Sequence, residues 1–156
     1  MADYMKKVLA QSVIDSAVLF TFKDDEDNCH WEQKGFRLAK ANDKQIHLAN
    51  NAGLDCFKGM NIIVAGKMDK PDEYYQDMWA DIGDGTELKR QNISVEINGY
   101  KQTLYLYDKP QIREEQLQFI NYAIEQTSGR ARALREAGAN VYVFSNYIIS
   151  DVDFVI

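Results

Sequence analysis

An Asn-Gly dipeptide between two alternating segments is the feature that most narrows what this chain can fold into. Apolar and polar residues alternate over residues 93–97 and again over 103–107, with Asn98-Gly99 between them. Alternation with a period of two is typical of a half-buried strand, and Asn-Gly is the strongest short-range signal for a hairpin turn. The sequence therefore predicts a β-hairpin, whose loop is either two residues long or lengthened by Tyr100, Lys101 and Gln102.

A long amphipathic helix is predicted from about residue 110 to residue 126. Its apolar residues recur at helical spacing: Ile112, Leu117, Ile120, Ala123 and Ile124. Such spacing gathers them on one side, which we expect to cover the apolar face of a sheet. Asp108, followed by Pro110 and Gln111, matches a capping-box start. A shorter amphipathic helix is predicted over residues 2–15.

The remaining elements are mostly strands. We expect strands at 16–22, 31–38, 45–48, 61–66, 140–144 and 152–156, a connection at 41–44, and helical segments at 72–80 and 130–137. Gly83 to Gly85 end the first of these helical segments, and Gly138 is a candidate cap for the second. Segregated strands and helices favour an α+β fold with a largely antiparallel sheet, covered by one long helix in the C-terminal half. One parallel crossover between 103 and 144 stays open. A length of 156 residues fits a single globular domain over 1–156.

No segment near the N-terminus resembles a signal peptide, because Gln11, Ser12 and Asp15 interrupt the apolar run. The longest apolar stretches, such as residues 62–65, are far shorter than a bilayer-spanning helix requires. We therefore expect a cytoplasmic protein with no membrane partner, in which Cys29 and Cys56 stay reduced.

The sequence holds no recognised catalytic or metal-binding pattern. His30, His47 and Cys29 match no zinc spacing. Residues 81–87 resemble a calcium loop, but that pattern places Ala80 at position 1, where an acidic ligand is required. We expect no cofactor, no metal and no enzymatic activity. The alternative is a small enzyme of unrecognised type with catalytic residues in a cleft, drawn from Asp108, Asp151, Asp153 and His30.

The charge of the chain is concentrated in one segment. The chain has 18 basic and 24 acidic residues, a net charge of −6. Residues 69–87 contain seven acidic side chains and Lys70 as their one base, so this segment alone accounts for −6. Its acidic and aromatic members are Asp69, Asp72, Glu73, Tyr74, Tyr75, Asp77, Trp79, Asp81, Asp84 and Glu87. Aromatic residues within a charged surround are typical of protein-binding hot spots, and concentrated negative charge accelerates association with a basic partner.

These observations favour an acidic binding protein that neutralises a basic partner, such as a nuclease-type toxin, in the manner of immunity proteins, antitoxins or phage-encoded inhibitors. The ten residues above are the predicted partner-binding set. An acidic chain is a poor ligand for phosphate backbones, so nucleic acid is an unlikely partner despite Arg130, Arg132 and Arg135. The other alternative is an assembly subunit, of a phage or a secretion system, whose exposed strand pairs with a neighbour.

Overall fold

The computed structural model describes residues 1–22, 29–48, 56–66, 68–129 and 139–147. The helices are α1 (Ala2–Val8), α2 (Gln11–Ser16), α3 (Asp72–Ile82) and α4 (Pro110–Ser128). The strands are β1 (Val18–Phe20), β2 (Arg37–Leu38), β3 (Lys40–Ala41), β4 (Lys44–Gln45), β5 (Ile62–Ala65), β6 (Arg90–Ile97), β7 (Tyr100–Tyr107) and β8 (Val141–Phe144). The chain is thus a mixture of α and β, as predicted.

Contacts along the chain divide it into two compact units. The first comprises Met1–Gly66 and Ile124–Ser145, and the second comprises Lys67–Ala123 and Asn146–Ile156. The expectation of a single domain stays a prediction.

The first unit is built on a four-stranded parallel sheet, so the prediction of a largely antiparallel sheet is wrong for the largest sheet of the described chain. The strand order is β2-β1-β5-β8, and every neighbouring pair runs parallel. All four residues of β5 are buried, which is typical of parallel strands covered on both faces. The antiparallel signals in the sequence belong to two separate two-stranded sheets, β3-β4 and β6-β7.

Each face of the parallel sheet packs into its own apolar cluster. Leu19 and Ile63 lie on the face covered by α1 and α2, where Met5 and Ile14 are almost fully buried. On the opposite face, Phe20 packs edge-on against the Phe57 ring, with ring centroids 4.9 Å apart. Burial on both faces explains why the residues of these short strands are apolar without alternation.

The local elements of the first unit differ from the sequence predictions in detail. The helix predicted over residues 2–15 is two helices, because Leu9 and Ala10 adopt extended backbone conformations between them. The strand predicted over 31–38 is a turn followed by the short β2. The predicted connection is confirmed: Asn42 and Asp43 have positive φ angles between the paired strands β3 and β4.

The second unit contains the predicted hairpin, now with its register. Ile97 pairs with Tyr100, so the loop is the two residues Asn98 and Gly99. Their φ angles are +52° and +78°, the combination that a type I′ turn requires and that Asn-Gly supplies at low cost. Residues 100–102 belong to β7 and do not lengthen the loop.

The predicted long helix is α4, which begins at Pro110. Ile112 and Ile120 are fully buried, and Gln118 on the other side is exposed, so the predicted orientation of the helix is confirmed at these positions. The expected capping role of Asp108 is not found. Its carboxylate accepts a hydrogen bond from the Lys89 N–H across the base of the hairpin, at 3.1 Å.

Several predicted features lie outside the described residues. They are the helical segment 130–137 with Gly138, the strand 152–156, and the side chains of Arg130, Arg132, Arg135, Asp151 and Asp153.

The hairpin register predicts an alternating pattern of amide hydrogen exchange. The Asp108 N–H donates to the Lys89 carbonyl, so every second residue of each strand directs its amide towards the partner strand. We expect the amides of Val95 and Leu104 to exchange slowly and those of Ser94 and Thr103 to exchange quickly, as measured by NMR in D₂O. Equal exchange at neighbouring positions would contradict this register.

The orientation of α4 predicts unequal costs for two alanine substitutions. Ile120→Ala removes a fully buried side chain and is expected to lower the free energy of unfolding by about 2–5 kcal/mol. Gln118→Ala, on the exposed side, is the matched control and should change it by less than about 0.5 kcal/mol. Urea unfolding of both variants measures the difference, and similar losses would mean that α4 is oriented otherwise.

Candidate functional site

The acidic segment forms α3 and the loops on either side of it. Pro71 precedes the helix, and Asp72 and Glu73 lie in its first turn, where the partial positive charge of the helix N-terminus favours carboxylates. The helix ends at Ile82, and a Cβ atom at the following Gly83 would lie 2.5 Å from the Trp79 ring and so collide with it. Glycine therefore lets the chain turn sharply beside Trp79.

Asp69, just before α3, is a half-buried residue of the second unit whose carboxylate accepts four hydrogen bonds. Its Oδ1 atom accepts hydrogen bonds from the Tyr75 hydroxyl at 2.7 Å and the Lys70 N–H at 2.9 Å. Its Oδ2 atom accepts one from the Gln116 side-chain amide at 2.6 Å and one from the Arg90 guanidinium at 3.3 Å. Gln116 is fully buried, and its side-chain oxygen accepts from the Tyr107 N–H.

Arg90 connects Asp69 to Asp72. Its second terminal nitrogen donates to Asp72 Oδ1 at 2.6 Å, and the same oxygen accepts a hydrogen bond from the Tyr107 hydroxyl at 2.7 Å. The guanidinium lies over the Tyr107 ring, 4.5 Å from its centroid. Arg90 thus compensates two of the seven acidic charges, although it lies three residues beyond the segment in which the sequence analysis counted them.

Tyr75 is a core residue and does not belong to the partner-binding surface on which it was predicted. Its side chain is fully buried and packs against Tyr107, with ring centroids 4.9 Å apart. Burial, together with the hydrogen bond to Asp69, raises the pKa of the Tyr75 hydroxyl far above its ordinary value. The neutral hydroxyl is therefore held in place as a donor to Asp69.

The negative charges at the C-terminal end of the acidic segment are also partly compensated by other residues of the protein. The Trp79 indole N–H donates to the Thr86 carbonyl at 2.8 Å, and Lys109 lies over the indole ring. Hydrogen bonds from the Thr86 side chain and backbone lower the pKa of the Asp84 carboxyl. Glu87 forms an exposed ion pair with Lys89, which raises the pKa of that lysine.

Three acidic residues of α3 remain without a cation among the described residues: Glu73, Asp77 and Asp81. They are exposed, and no other described residue forms a hydrogen bond or an ion pair with them. A spacing of four residues places them in one row along the helix, where like charges repel one another. We name these three residues the acidic row.

Exposed apolar side chains lie beside the acidic row. Tyr74 is 39% exposed and Ile82 is 56% exposed. The Tyr74 hydroxyl donates to Glu115, whose hydrogen bond and negative charge raise the pKa of that tyrosine. The Lys70 ammonium lies between the rings of Tyr74 and Phe119, at 5.0 and 4.5 Å from their centroids.

The structure thus divides the ten predicted residues into three groups. The buried Tyr75 and the half-buried Asp69 form the internal network, and Asp72 joins it through Arg90 although its own side chain is 66% exposed. The second group is the acidic row with Tyr74, and the third, Trp79, Asp84 and Glu87, takes part in local bonds. Arg90, Tyr107 and Gln116 were not among the predicted site residues. Arg90 pairs with Tyr107 in the hairpin, so the predicted turn, taken with a two-residue loop, is the sequence signal that could have placed Arg90 there.

Among the described residues, no three histidine, cysteine, aspartate or glutamate side chains lie together as a metal site. Cys29 and Cys56 are not joined in a disulfide. Asp108, one of the candidate catalytic carboxylates, is occupied by the Lys89 amide.

No helix in the described part of the chain combines the length and the apolar character needed to cross a membrane. Comparison of the chain with protein-family models, with curated proteins and with solved structures gives no match.

The Asp69 network predicts a large loss of stability when Arg90 is replaced. Arg90→Met keeps the aliphatic stem but leaves two carboxylates without their cation, and the Arg90 and Asp69 side chains are only 19% and 17% exposed. We expect the free energy of unfolding to fall by about 2–3 kcal/mol in urea titrations. Lys89→Met, which breaks an ion pair that is mostly exposed, is the control and should behave nearly as the unsubstituted protein does. Equal effects would mean that Arg90 is not needed to compensate Asp69 and Asp72.

Proposed function

We propose that this protein is a non-enzymatic, cytoplasmic binding protein that neutralises a basic partner protein, of the immunity, antitoxin or phage-inhibitor type. Contact is made by the acidic row together with Tyr74 and Ile82. The observation that carries the proposal is that Glu73, Asp77 and Asp81 are exposed in one row and that no described residue compensates them.

Repulsion within the acidic row is energetically unfavourable for the isolated chain. Carboxylates four residues apart on a helix repel each other and destabilise it slightly. Other carboxylates of the segment are compensated by cations that follow it in the sequence. Arg90 pairs with Asp69 and Asp72, and Lys89 pairs with Glu87. A row that keeps this repulsion is suited to accept cations from a second protein, because binding then removes an existing penalty.

The neighbouring apolar residues supply surface that a partner can bury, which charge alone does not. Long-range attraction between charges mainly raises the rate of association, whereas buried aromatic and aliphatic side chains slow dissociation. Tyr74 and Ile82 border the acidic row, and their side chains are 39% and 56% exposed. The surface therefore combines a charge that attracts a basic protein with side chains that it can bury.

A nuclease-type toxin is the partner class that this surface fits best. A protein that binds nucleic acid presents lysine and arginine along its groove to contact phosphates. An inhibitor with a row of carboxylates can occupy that groove and exclude the substrate. The second unit has 13 acidic and 7 basic residues, whereas the first has 11 of each, so the whole net charge lies in the unit that carries the acidic row.

A charge-neutral variant of the acidic row tests this proposal. In the triple variant Glu73→Gln, Asp77→Asn, Asp81→Asn, the folded structure loses no hydrogen bond or ion pair with another described residue. Proteins retained by the immobilised chain in lysate of its host are identified, and association with the purified partner is followed at several salt concentrations. We expect a basic partner, slower association with the variant by about tenfold or more, and a weaker salt dependence.

The matched control changes the net charge equally at other exposed sites, with Asp3→Asn, Asp43→Asn and Glu96→Gln. It should keep most of the association rate at physiological salt, because none of the three carboxylates belongs to the proposed contact and charges outside a contact are largely screened. Equal slowing in both triple variants would show that only the total charge matters. A partner that is acidic, or whose association neither variant alters, would refute the proposal.

A further inference from the structure

Among the described residues, β8 is the last strand of the first unit's parallel sheet, and it consists of four apolar residues. Val141, Tyr142, Val143 and Phe144 are all half-buried, although each lies on a sheet face that packs against an apolar cluster. We propose that this edge is where two copies of the chain pair, so that their parallel sheets join into one continuous sheet. This proposal is independent of the proposed function.

The opposite edge of the same sheet, strand β2, has features that protect an edge strand from pairing with other chains. Strand β2 has only two residues, one of which is the exposed Arg37, and short or charged edge strands resist pairing with other chains. Strand β8 is twice as long and has no charge, no proline and no glycine. The two edges of one sheet therefore differ in the features that prevent association.

The hydrogen bonds of β8 show which backbone groups face outward. The Ile62 N–H donates to the Asn140 carbonyl, and the Gly66 N–H donates to the Phe144 carbonyl. Alternate residues of a parallel strand direct both backbone groups to the same side, so Tyr142 also faces β5. Val141 and Val143 direct their N–H and C=O groups away from β5, where the described residues provide no further strand.

A two-fold axis perpendicular to the sheet satisfies these outward groups. The axis reverses the strand direction and keeps the two faces of the sheet matched. With Tyr142 opposite Tyr142 of the second copy, Val141 of each copy lies opposite Val143 of the other, which gives four hydrogen bonds between the copies. Aromatic and β-branched residues directly opposite one another are favourable cross-strand pairs.

The charge distribution favours a second copy as the occupant of this edge. Residues 139–147 contain no charged side chain. The first unit, to which β8 belongs, carries no net charge, whereas the second carries −6. The edge therefore lies in the unit whose charges balance, and two copies of it approach each other without net repulsion between those units. Tyr4 of α1, which is 53% exposed and stacks edge-on against Phe144, adds apolar surface beside the strand.

The experiment combines sedimentation analysis with amide exchange over about 10 µM to 1 mM protein. We expect a monomer–dimer equilibrium in which the amides of Val141 and Val143 gain protection from exchange as the fraction of dimer rises. Those of Tyr142 and Phe144, which already face β5, should be protected at every concentration.

Two variants and one control locate the contact. Val143→Pro removes an outward N–H that the chain's own ladder does not use, and an edge position is where a strand tolerates proline. Val143→Lys places a charge on the same edge and serves if the proline variant fails to fold. Both should weaken dimerisation at least tenfold. Ser94→Pro is the matched control, since it removes an outward amide from the exposed edge of β6 and should leave dimerisation unchanged.

Three results would overturn the proposal. One is a monomer at every concentration. The second is a dimer in which the Val143 amide stays unprotected, or which Ser94→Pro weakens and the Val143 variants do not. The third is protection of the Val141 and Val143 amides in a dilute monomer, which would mean that another part of the same chain already pairs with β8.

Discussion

The Asp69 carboxylate receives hydrogen bonds from three elements that lie far apart in the sequence of the second unit. Tyr75 belongs to α3, Arg90 to β6 and Gln116 to α4, and all three donate to its two oxygens. The Asp69 side chain is only 17% exposed, and a carboxylate largely removed from water is costly unless its lone pairs are satisfied, so the geometry of each donor is constrained by the other two. This network, together with the packing of Tyr75 against Tyr107 and Ile112, holds α3 and the acidic row in place.

The same network explains why the summed charge of residues 69–87 overstated the negative charge that is free to attract a partner. Counted along the sequence, residues 69–87 carry −6, yet Arg90 and Lys89 compensate three of those carboxylates from outside that range. Strand pairing brings Arg90 over Tyr107, which lies 17 residues further along the chain. The register of the hairpin contains that information, and a count of charges along the sequence does not. The spacing of Glu73, Asp77 and Asp81 on a predicted helix was visible in the sequence, and it is this part of the predicted surface that remains exposed.

Elements with local signals were predictable, and those that depend on distant pairing were not. Asn98-Gly99 specifies its turn through two positive φ angles, and the apolar stripe of Ile112 and Ile120 identifies the buried side of α4. Strands β1, β2, β5 and β8 have two to four residues each, too few to show which strand is the neighbour or in which direction it runs. Pairing of β1 with β5 is a contact across more than 40 residues, set by how the two apolar clusters close over the faces of the sheet.

The placement of the two tryptophans gives each unit its own optical reporter. Trp31 is buried in the core of the first unit, where it packs edge-on against Phe36. Trp79 is only partly buried in the second, with its indole hydrogen-bonded to the Thr86 carbonyl and covered by the Lys109 ammonium. The chain has no other tryptophan. Indole fluorescence of single-tryptophan variants therefore separates the melting of one unit from that of the other, and the spacing between the two transitions measures how far the units fold as one cooperative body.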